Sequence, residues 1–159
     1  MSVIKSIKKI RLVVLIAMIG LTSATIFTSC KKDGCTDPNA NNFDSKAGKN
    51  DGTCSYPVIN VTATGQSGDI NGAGGTASRT TTFTNNNATV GWDMSINATS
   101  GSFQLVIKDA AGAIVMNRTL TAGSGPQSAS GSSLSGTTGT WSATVTLDKF
   151  TGTGDYSFL

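Results

Sequence analysis

The chain has 159 residues, 19 glycines and a formal net charge of +3. It contains no histidine and no glutamate, which excludes Ser-His-Asp and Cys-His catalytic arrangements and removes the commonest zinc ligand. Four of the twelve basic residues precede residue 12, so from residue 30 onward eight basic residues face nine aspartates. That near-neutral remainder offers no basic patch for nucleic acid, and we predict a protein that is not an enzyme.

The N-terminus has the three parts of a secretory signal. Basic residues at positions 5, 8, 9 and 11 precede an uncharged apolar stretch from 12 to 27, and the small polar residues Thr28 and Ser29 then lead to Cys30. The apolar stretch is about 16 residues long, shorter than the roughly 20 that a membrane-spanning helix needs. We predict a cleavable leader over residues 1–29. The alternatives are a signal anchor that stays uncut and an ordinary signal peptide cut near Ala24.

The boundary before Cys30 resembles the lipobox of bacterial lipoproteins, in the looser form found in Bacteroidetes-type bacteria. Phe27 stands where the usual lipobox has leucine, and Lys31-Lys32-Asp33 follows the cysteine. The resemblance implies that the Cys30 thiol carries lipid, with acyl chains such as palmitate, and becomes the first residue of the mature protein. It also implies a location at the bacterial outer membrane or cell surface, with the membrane as a partner.

The segment from Cys35 to Cys54 resembles a cysteine-bracketed motif of secreted Bacteroidetes proteins, with the frame CTDPxAxNF followed by DGTC. If Cys30 carries lipid, Cys35 and Cys54 remain as an even pair, and we predict a disulfide between them. Closing a loop of about 20 residues is worth roughly 3 kcal/mol in the chain-entropy model. We call residues 35–54 the stapled segment.

A small apolar patch of Ala40, Phe43 and Ala47 is predicted inside the stapled segment. A loop of this size cannot bury enough surface to fold alone, so we expect the disulfide to supply most of its stability. Residues 30–57 are therefore predicted to form a lipid-anchored tether that contains the stapled loop.

The stapled segment is also rich in side-chain oxygens, which are the ligands that calcium prefers. Its spacing differs from the EF-hand loop and it has no glutamate to close a site. Asparagine and aspartate are equally what a tight soluble loop uses, so a purely structural loop stays open beside calcium binding. The candidate calcium ligands are Asp37, Asn39, Asn41, Asp44 and Asp51.

Residues 58–159 show the period-two alternation of half-buried strands. We predict about seven strands, at 59–63, 80–83, 90–96, 103–107, 114–120, 141–147 and 156–159. Short glycine-containing stretches at 97–101, 109–112 and 150–154 are predicted to be loops between antiparallel neighbours. The predicted fold is all-β, a single antiparallel β-sandwich that is Ig-like or jelly-roll-like.

The stretch GTWSATVTLDKFTG, at residues 139–152, resembles the end of a class of small β-sandwich domains of bacterial lipoproteins. The preceding Gly/Ser-rich stretch, 122–140, is predicted to be a flexible or disordered excursion, with a binding loop as the alternative. Trp92 and Trp141 alternate in phase with aliphatic residues, which favours places in the core over exposed platforms for sugar rings.

Together these patterns predict a lipid-anchored envelope or cell-surface protein with a non-catalytic binding or structural role. A glycan or an envelope protein is its expected partner, and the sequence names no ligand. The alternatives are a carbohydrate-binding module, which requires exposed aromatic rings, and a calcium-dependent adhesin that uses the stapled segment.

Overall fold

A computed structural model describes residues 31–159; the predicted leader, 1–29, and Cys30 lie outside the described residues. Within 31–159 no helix is long and apolar enough to cross a membrane. The described part of the chain is built from eight strands. They are β1 (Lys32–Gly34), β2 (Ala47–Asn50), β3 (Val58–Ile59), β4 (Ser67–Asn85), β5 (Gly91–Lys108), β6 (Ile114–Thr121), β7 (Gln127–Ser132) and β8 (Gly139–Phe158).

Six of these strands form one antiparallel sheet, and the remaining two form a short parallel pair. The sheet has the order β3-β4-β8-β5-β6, and β7 pairs with β5 at the end of β5 that β6 leaves free. β8 is the central strand, since it pairs with β4 on one side and with β5 on the other along nearly its whole length. Of the parallel pair, β1 ends just before Cys35 and β2 lies inside the stapled segment.

The three long strands fold over, so that one sheet supplies both layers of a sandwich. Phe83 pairs with Trp141 in the ladder between β4 and β8, and Phe158 lies 17 residues beyond Trp141. A straight strand would separate those two positions of β8 by about 56 Å, at roughly 3.3 Å per residue. The ring centroids of Phe83 and Phe158 are 4.8 Å apart. The two ends of β8 therefore face each other across the core, and the predicted antiparallel β-sandwich is confirmed.

The fold-over occurs where all three long strands carry β-bulges at the same level. Register shifts lie between residues 73 and 77 of β4 and between residues 98 and 102 of β5, opposite residues 147–152 of β8. We call these three stretches the bend. Backbone angles with positive φ are concentrated there, at Gly74 (107°), Gly101 (80°), Lys149 (47°) and Gly152 (149°). A bulge adds a residue to one strand and increases its local bending and twist, which turns the sheet over on itself.

The bulges also keep the apolar side chains facing the core on both sides of the bend. In β5 the buried residues are even-numbered before the bend, ending at Ala98, and odd-numbered after it, beginning at Phe103. β8 changes in the opposite sense, from Leu147 to Phe150. Side chains alternate strictly along an unbroken strand, so one extra residue is what changes the numbering while the same face stays inward. The core is therefore continuous across the bend, with Trp141, Phe103, Phe150 and Phe158 as its largest fully buried side chains.

Two of the predicted loops are wrong. Residues 97–101 lie inside β5 and residues 150–154 lie inside β8. In each case one continuous strand bends where a loop between two strands was predicted. The prediction of disorder for 122–140 is also wrong, because that stretch contains β7. The loop at 109–112 is confirmed as the turn between β5 and β6, where the N–H of Gly112 donates to the carbonyl of Asp109 at 2.9 Å.

Substitution of Gly101 tests whether the close approach of the β5 and β8 backbones at the bend stabilises the fold. A Cβ at this position would lie 2.3 Å from the Lys149 carbonyl oxygen and 2.4 Å from that of Asp148. Gly112 has nearly the same φ, +83°, but nothing lies within 4 Å of its Cβ position. We expect Gly101→Ala to lower the free energy of unfolding by about 2–4 kcal/mol, and Gly112→Ala by only about 1 kcal/mol. Urea denaturation measures both, and equal losses would contradict this account of the bend.

Candidate functional site

The stapled segment is closed by the predicted disulfide and organised by short polar turns. Cys35 and Cys54 are bonded, with their Cα atoms 4.9 Å apart, and Cys35 is buried. Each of three aspartates accepts a backbone N–H two residues ahead, at 2.9 to 3.0 Å. Such Asx turns let a chain with almost no core of its own adopt one conformation. The three aspartates are Asp37, Asp44 and Asp51.

The stapled segment packs against β4 at the bend, within the single compact unit formed by residues 31–159. The Asn41 side-chain oxygen accepts the N–H groups of Ala73 at 3.0 Å and Gly75 at 3.1 Å. The carbonyl of Asn39 accepts the N–H of Thr76 at 2.8 Å. Ala40, between these two asparagines, is only 2% exposed. The segment is therefore joined to the sandwich by backbone-directed hydrogen bonds around one small buried side chain.

A cleft of about 920 Å³ lies between the stapled segment and the bend. Binding clefts for small ligands commonly have volumes of roughly 300–1,000 Å³. Phe43 lines the cleft from the stapled segment, and 44% of its surface is exposed. Ten further residues complete the lining: Pro38, Ala40, Asn41, Gly74, Ser100, Gly101, Ser102, Thr121, Asp148 and Lys149. The cleft thus combines one exposed aromatic ring with hydroxyl, amide and charged groups.

Four of the polar residues that line the cleft lie on the bend of β5 and β8: Ser100, Ser102, Asp148 and Lys149. The Ser100 hydroxyl donates to the carbonyl of Lys149 at 3.3 Å, and the Thr76 hydroxyl donates to the Asp148 carboxylate at 3.3 Å. The Thr76 hydroxyl oxygen also accepts the N–H of Lys149 at 3.2 Å. Lys149 is the one non-glycine residue with positive φ among residues 31–159. Residues held in such strained conformations are concentrated at binding and catalytic sites, where the surrounding structure holds them in place.

Three of the five candidate calcium ligands have other partners in the described structure. Asp37 accepts the Tyr56 hydroxyl at 2.7 Å, Asp44 accepts the Lys32 ammonium at 2.6 Å, and Asn41 binds the backbone of β4. Among residues 31–159 no group of three or more Cys and Asp side chains is arranged to hold a metal ion. Calcium binding stays a prediction.

The tryptophans lie in and beside the core. Trp141 is 0% exposed, and its indole N–H donates to the Thr137 carbonyl at 2.7 Å, which confirms the predicted core position. Trp92 is partly buried against the core, and its indole nitrogen has no hydrogen-bond partner among the described residues. The exposed ring in the cleft belongs to Phe43, which the sequence predicts to lie in a small apolar patch. No local pattern distinguishes it, because the cleft forms only when distant segments meet.

No protein-family model matches the sequence, and the comparison with curated proteins finds no match. Among solved structures the chain is similar to TmCBM61 in complex with β-1,4-galactotriose, with 12% identity, 65% of this chain and 68% of that chain covered, and a TM-score of 0.39. It is similar to a CBM4 structure, with 12% identity, 63% and 72% covered, and a TM-score of 0.40. A third is the carbohydrate-binding module CBM6cm-2 from Cellvibrio mixtus lichenase 5A in complex with cellotriose, with 12% identity, 64% and 85% covered, and a TM-score of 0.38. With TM-scores below 0.5, these similarities assign neither a ligand nor an activity to the chain.

The hydrogen bond between Tyr56 and Asp37 shifts the pKa of both groups. The Tyr56 hydroxyl and then the backbone N–H of Asn39 lower the pKa of Asp37, and the Asp37 carboxylate raises the pKa of Tyr56. A lowered carboxyl pKa stabilises the fold above about pH 4, and this is lost as pH falls through the folded pKa. A raised tyrosine pKa stabilises it below about pH 10, and this is lost as pH rises through the folded pKa.

We therefore expect Tyr56 to titrate above pH 10, and Asp37→Ala to bring its pKa down toward that of free tyrosine. NMR chemical shifts of the Tyr56 ring measure the pKa directly. Tyr156 is the internal control, because burial raises its pKa and its hydroxyl donates to the carbonyl of Asn60. Its pKa should not change in Asp37→Ala, and an unchanged Tyr56 pKa in that variant would show that the hydrogen bond does not form.

Proposed function

We propose that this chain is an exported, lipid-anchored and non-catalytic binding protein whose cleft holds a carbohydrate. The observation that carries the proposal is the composition of the cleft, an exposed Phe43 ring together with hydroxyl, amide and charged groups. A sugar presents apolar C–H faces and a rim of hydroxyls, so it needs an aromatic surface and polar groups that both donate and accept hydrogen bonds. The stapled segment supplies the ring, and the bend supplies the charged groups and two of the hydroxyls.

The charges of the cleft favour a neutral sugar. Asp148 and Lys149 contribute one negative and one positive charge, and the other lining residues are uncharged. An acidic sugar would be attracted by the Lys149 ammonium and repelled by the Asp148 carboxylate, so its charge would gain little from the cleft. A neutral sugar can donate to the carboxylate and accept from the ammonium, so both charges exchange hydrogen bonds with water for hydrogen bonds with the ligand.

The same lining supports binding without hydrolysis. Glycosidases commonly place two carboxyl groups about 5–10 Å apart across the bond that they cleave. Asp148 is the one carboxylate that lines this cleft in the described part of the chain. The chain also has no histidine and no glutamate to act as a second acid or base. Recognition of the ligand is therefore the role that this arrangement of residues supports.

Export and lipidation place this module at the cell envelope. The support is the sequence before residue 31, where a basic and then apolar stretch ends at Cys30. The disulfide between Cys35 and Cys54 agrees with an oxidising compartment, where such bonds persist. A lipid at Cys30 would hold the cleft near the membrane surface, where envelope or environmental glycans are available.

Binding is tested with the purified, oxidised full-length chain against a panel of neutral and acidic oligosaccharides, with calcium and with a chelator. We expect a neutral glycan to bind. Phe43→Ala should lower the affinity for that glycan about tenfold, which corresponds to about 1.4 kcal/mol. Leu134→Ala is the matched control, since Leu134 is 72% exposed and lies outside the cleft lining. Equal losses in both variants, or no binding to any glycan, would reject the proposal.

Lipidation is tested by mass spectrometry of the chain isolated from the membrane fraction. We expect a mature N-terminus at Cys30 that carries an acyl mass, and a Cys30→Ser variant that is neither acylated nor cut at this position. An N-terminus near Ala24, or an intact leader, would support one of the two alternatives and reject the lipid anchor.

A further inference from the structure

The wall of the cleft that carries Phe43 is held between the two ends of the stapled segment. The N–H of Asp44 donates to the carbonyl of Cys35 at 2.9 Å, and the N–H of Asn41 donates to the carbonyl of Ser55 at 2.7 Å. Residues 41–44 are thus hydrogen-bonded at one end to Cys35 and at the other to Ser55, which follows Cys54. These contacts give the wall its own shape, but they do not place it against the sandwich.

The side chain of Asn41 makes the connection to the sandwich. Its oxygen accepts two N–H groups, from Ala73 and Gly75, which stand on either side of Gly74 in the bulge of β4. An amide oxygen has two lone pairs, so both are used by these bonds. Phe43 follows Asn41 by two residues, so the position of the ring depends on where this oxygen is held.

Gly75 shows that the sandwich leaves room for this contact. A Cβ at position 75 would lie 2.6 Å from the Asn39 carbonyl oxygen and 2.8 Å from the Asn41 side-chain oxygen. Any other residue here would push the stapled segment away from β4. The absence of a side chain at Gly75 and the two bonds of Asn41 describe the same close approach from its two sides.

We infer that Asn41 is the positioning residue of the carbohydrate site: it seats the stapled segment on the bulge of β4 and so holds the Phe43 ring over the cleft. The inference rests on the proposed function for the nature of the ligand, but not for the contact itself. The side-chain oxygen of Asn41 accepts both hydrogen bonds, so the role depends on that oxygen and not on the amide nitrogen.

The experiment compares three substitutions in the full-length oxidised chain. Asn41→Ala removes the acceptor, and Asn41→Asp keeps it, because a carboxylate accepts two N–H groups from the same place. Gly75→Ala separates the same surfaces from the side of the sandwich. Asn39→Ala is the matched control, since Asn39 contacts β4 through its backbone carbonyl. Hydrogen exchange of the Ala73 and Gly75 amides and the NMR shifts of the Phe43 ring measure the contact without any ligand.

We expect exchange at Ala73 and Gly75 to become at least tenfold faster in Asn41→Ala and in Gly75→Ala, with the Phe43 shifts moving toward solvent-exposed values. Asn41→Asp and Asn39→Ala should keep both amides protected. The near-UV circular dichroism of the two tryptophans, which pack in and against the core, reports whether the sandwich stays folded in each variant. Unchanged exchange in both Asn41→Ala and Gly75→Ala would overturn the inference, as would loss of protection in Asn41→Asp.

Glycan binding separates this inference from the proposed function. If Asn41 acts through Phe43, Asn41→Ala should weaken binding about as much as Phe43→Ala, and the double variant should lose no more than either single one. Independent, additive losses would overturn the positioning role. Altered exchange in Asn41→Ala, together with no binding of any glycan by the unmodified chain, would reject the proposed function and leave the contact established.

Discussion

The bulges that three neighbouring strands carry at one level are the constraint on which the rest of this structure depends. A sheet of strands as long as β4, β5 and β8 would expose one whole apolar face if it stayed open. Bending all three strands together brings Phe83 to Phe158 and Phe103 to Tyr156, so the face that one half exposes is buried by the other. The added residue at each bulge keeps the apolar side chains inward on both sides.

The bend also makes the place where the candidate site can form. Bulges interrupt the regular ladder, so amide groups of β4 there bind the stapled segment, as Ala73, Gly75 and Thr76 do. The same bulges in β5 and β8 carry Ser100 and Lys149 to the floor of the cleft. The bend therefore both closes the core and lines the cleft. Lys149, with its positive φ, lies in the bend and in the cleft lining.

The stapled segment shows how a segment with very little core becomes part of a defined surface. Its disulfide restricts the open chain, its aspartates organise local turns, and the salt bridge between Lys32 and Asp44 is exposed and therefore weak. None of these contacts reaches the sandwich. The segment is attached instead by Asn41, by the carbonyl of Asn39 and by the buried Ala40. A few short-range polar contacts at a glycine thus turn a loop into one wall of a cleft.

Local patterns in the sequence determined the all-β class, the antiparallel sandwich, the pairing of Cys35 with Cys54 and the burial of Trp141. The class, the sandwich and the burial of Trp141 follow from side-chain alternation, which neighbouring residues are enough to define. The cysteine pairing was predicted on the condition that Cys30 carries lipid, as the resemblance to a lipobox implies. The continuity of β5 and β8 was not visible, because a bulge breaks the alternation just as a loop does, and glycine marks both. The cleft was not visible either. Asn41 and Phe43 are neighbours in the chain, but Lys149 lies more than 100 residues later. Only the tertiary structure brings them together, because the fold-over of a sheet is a property of strands acting jointly.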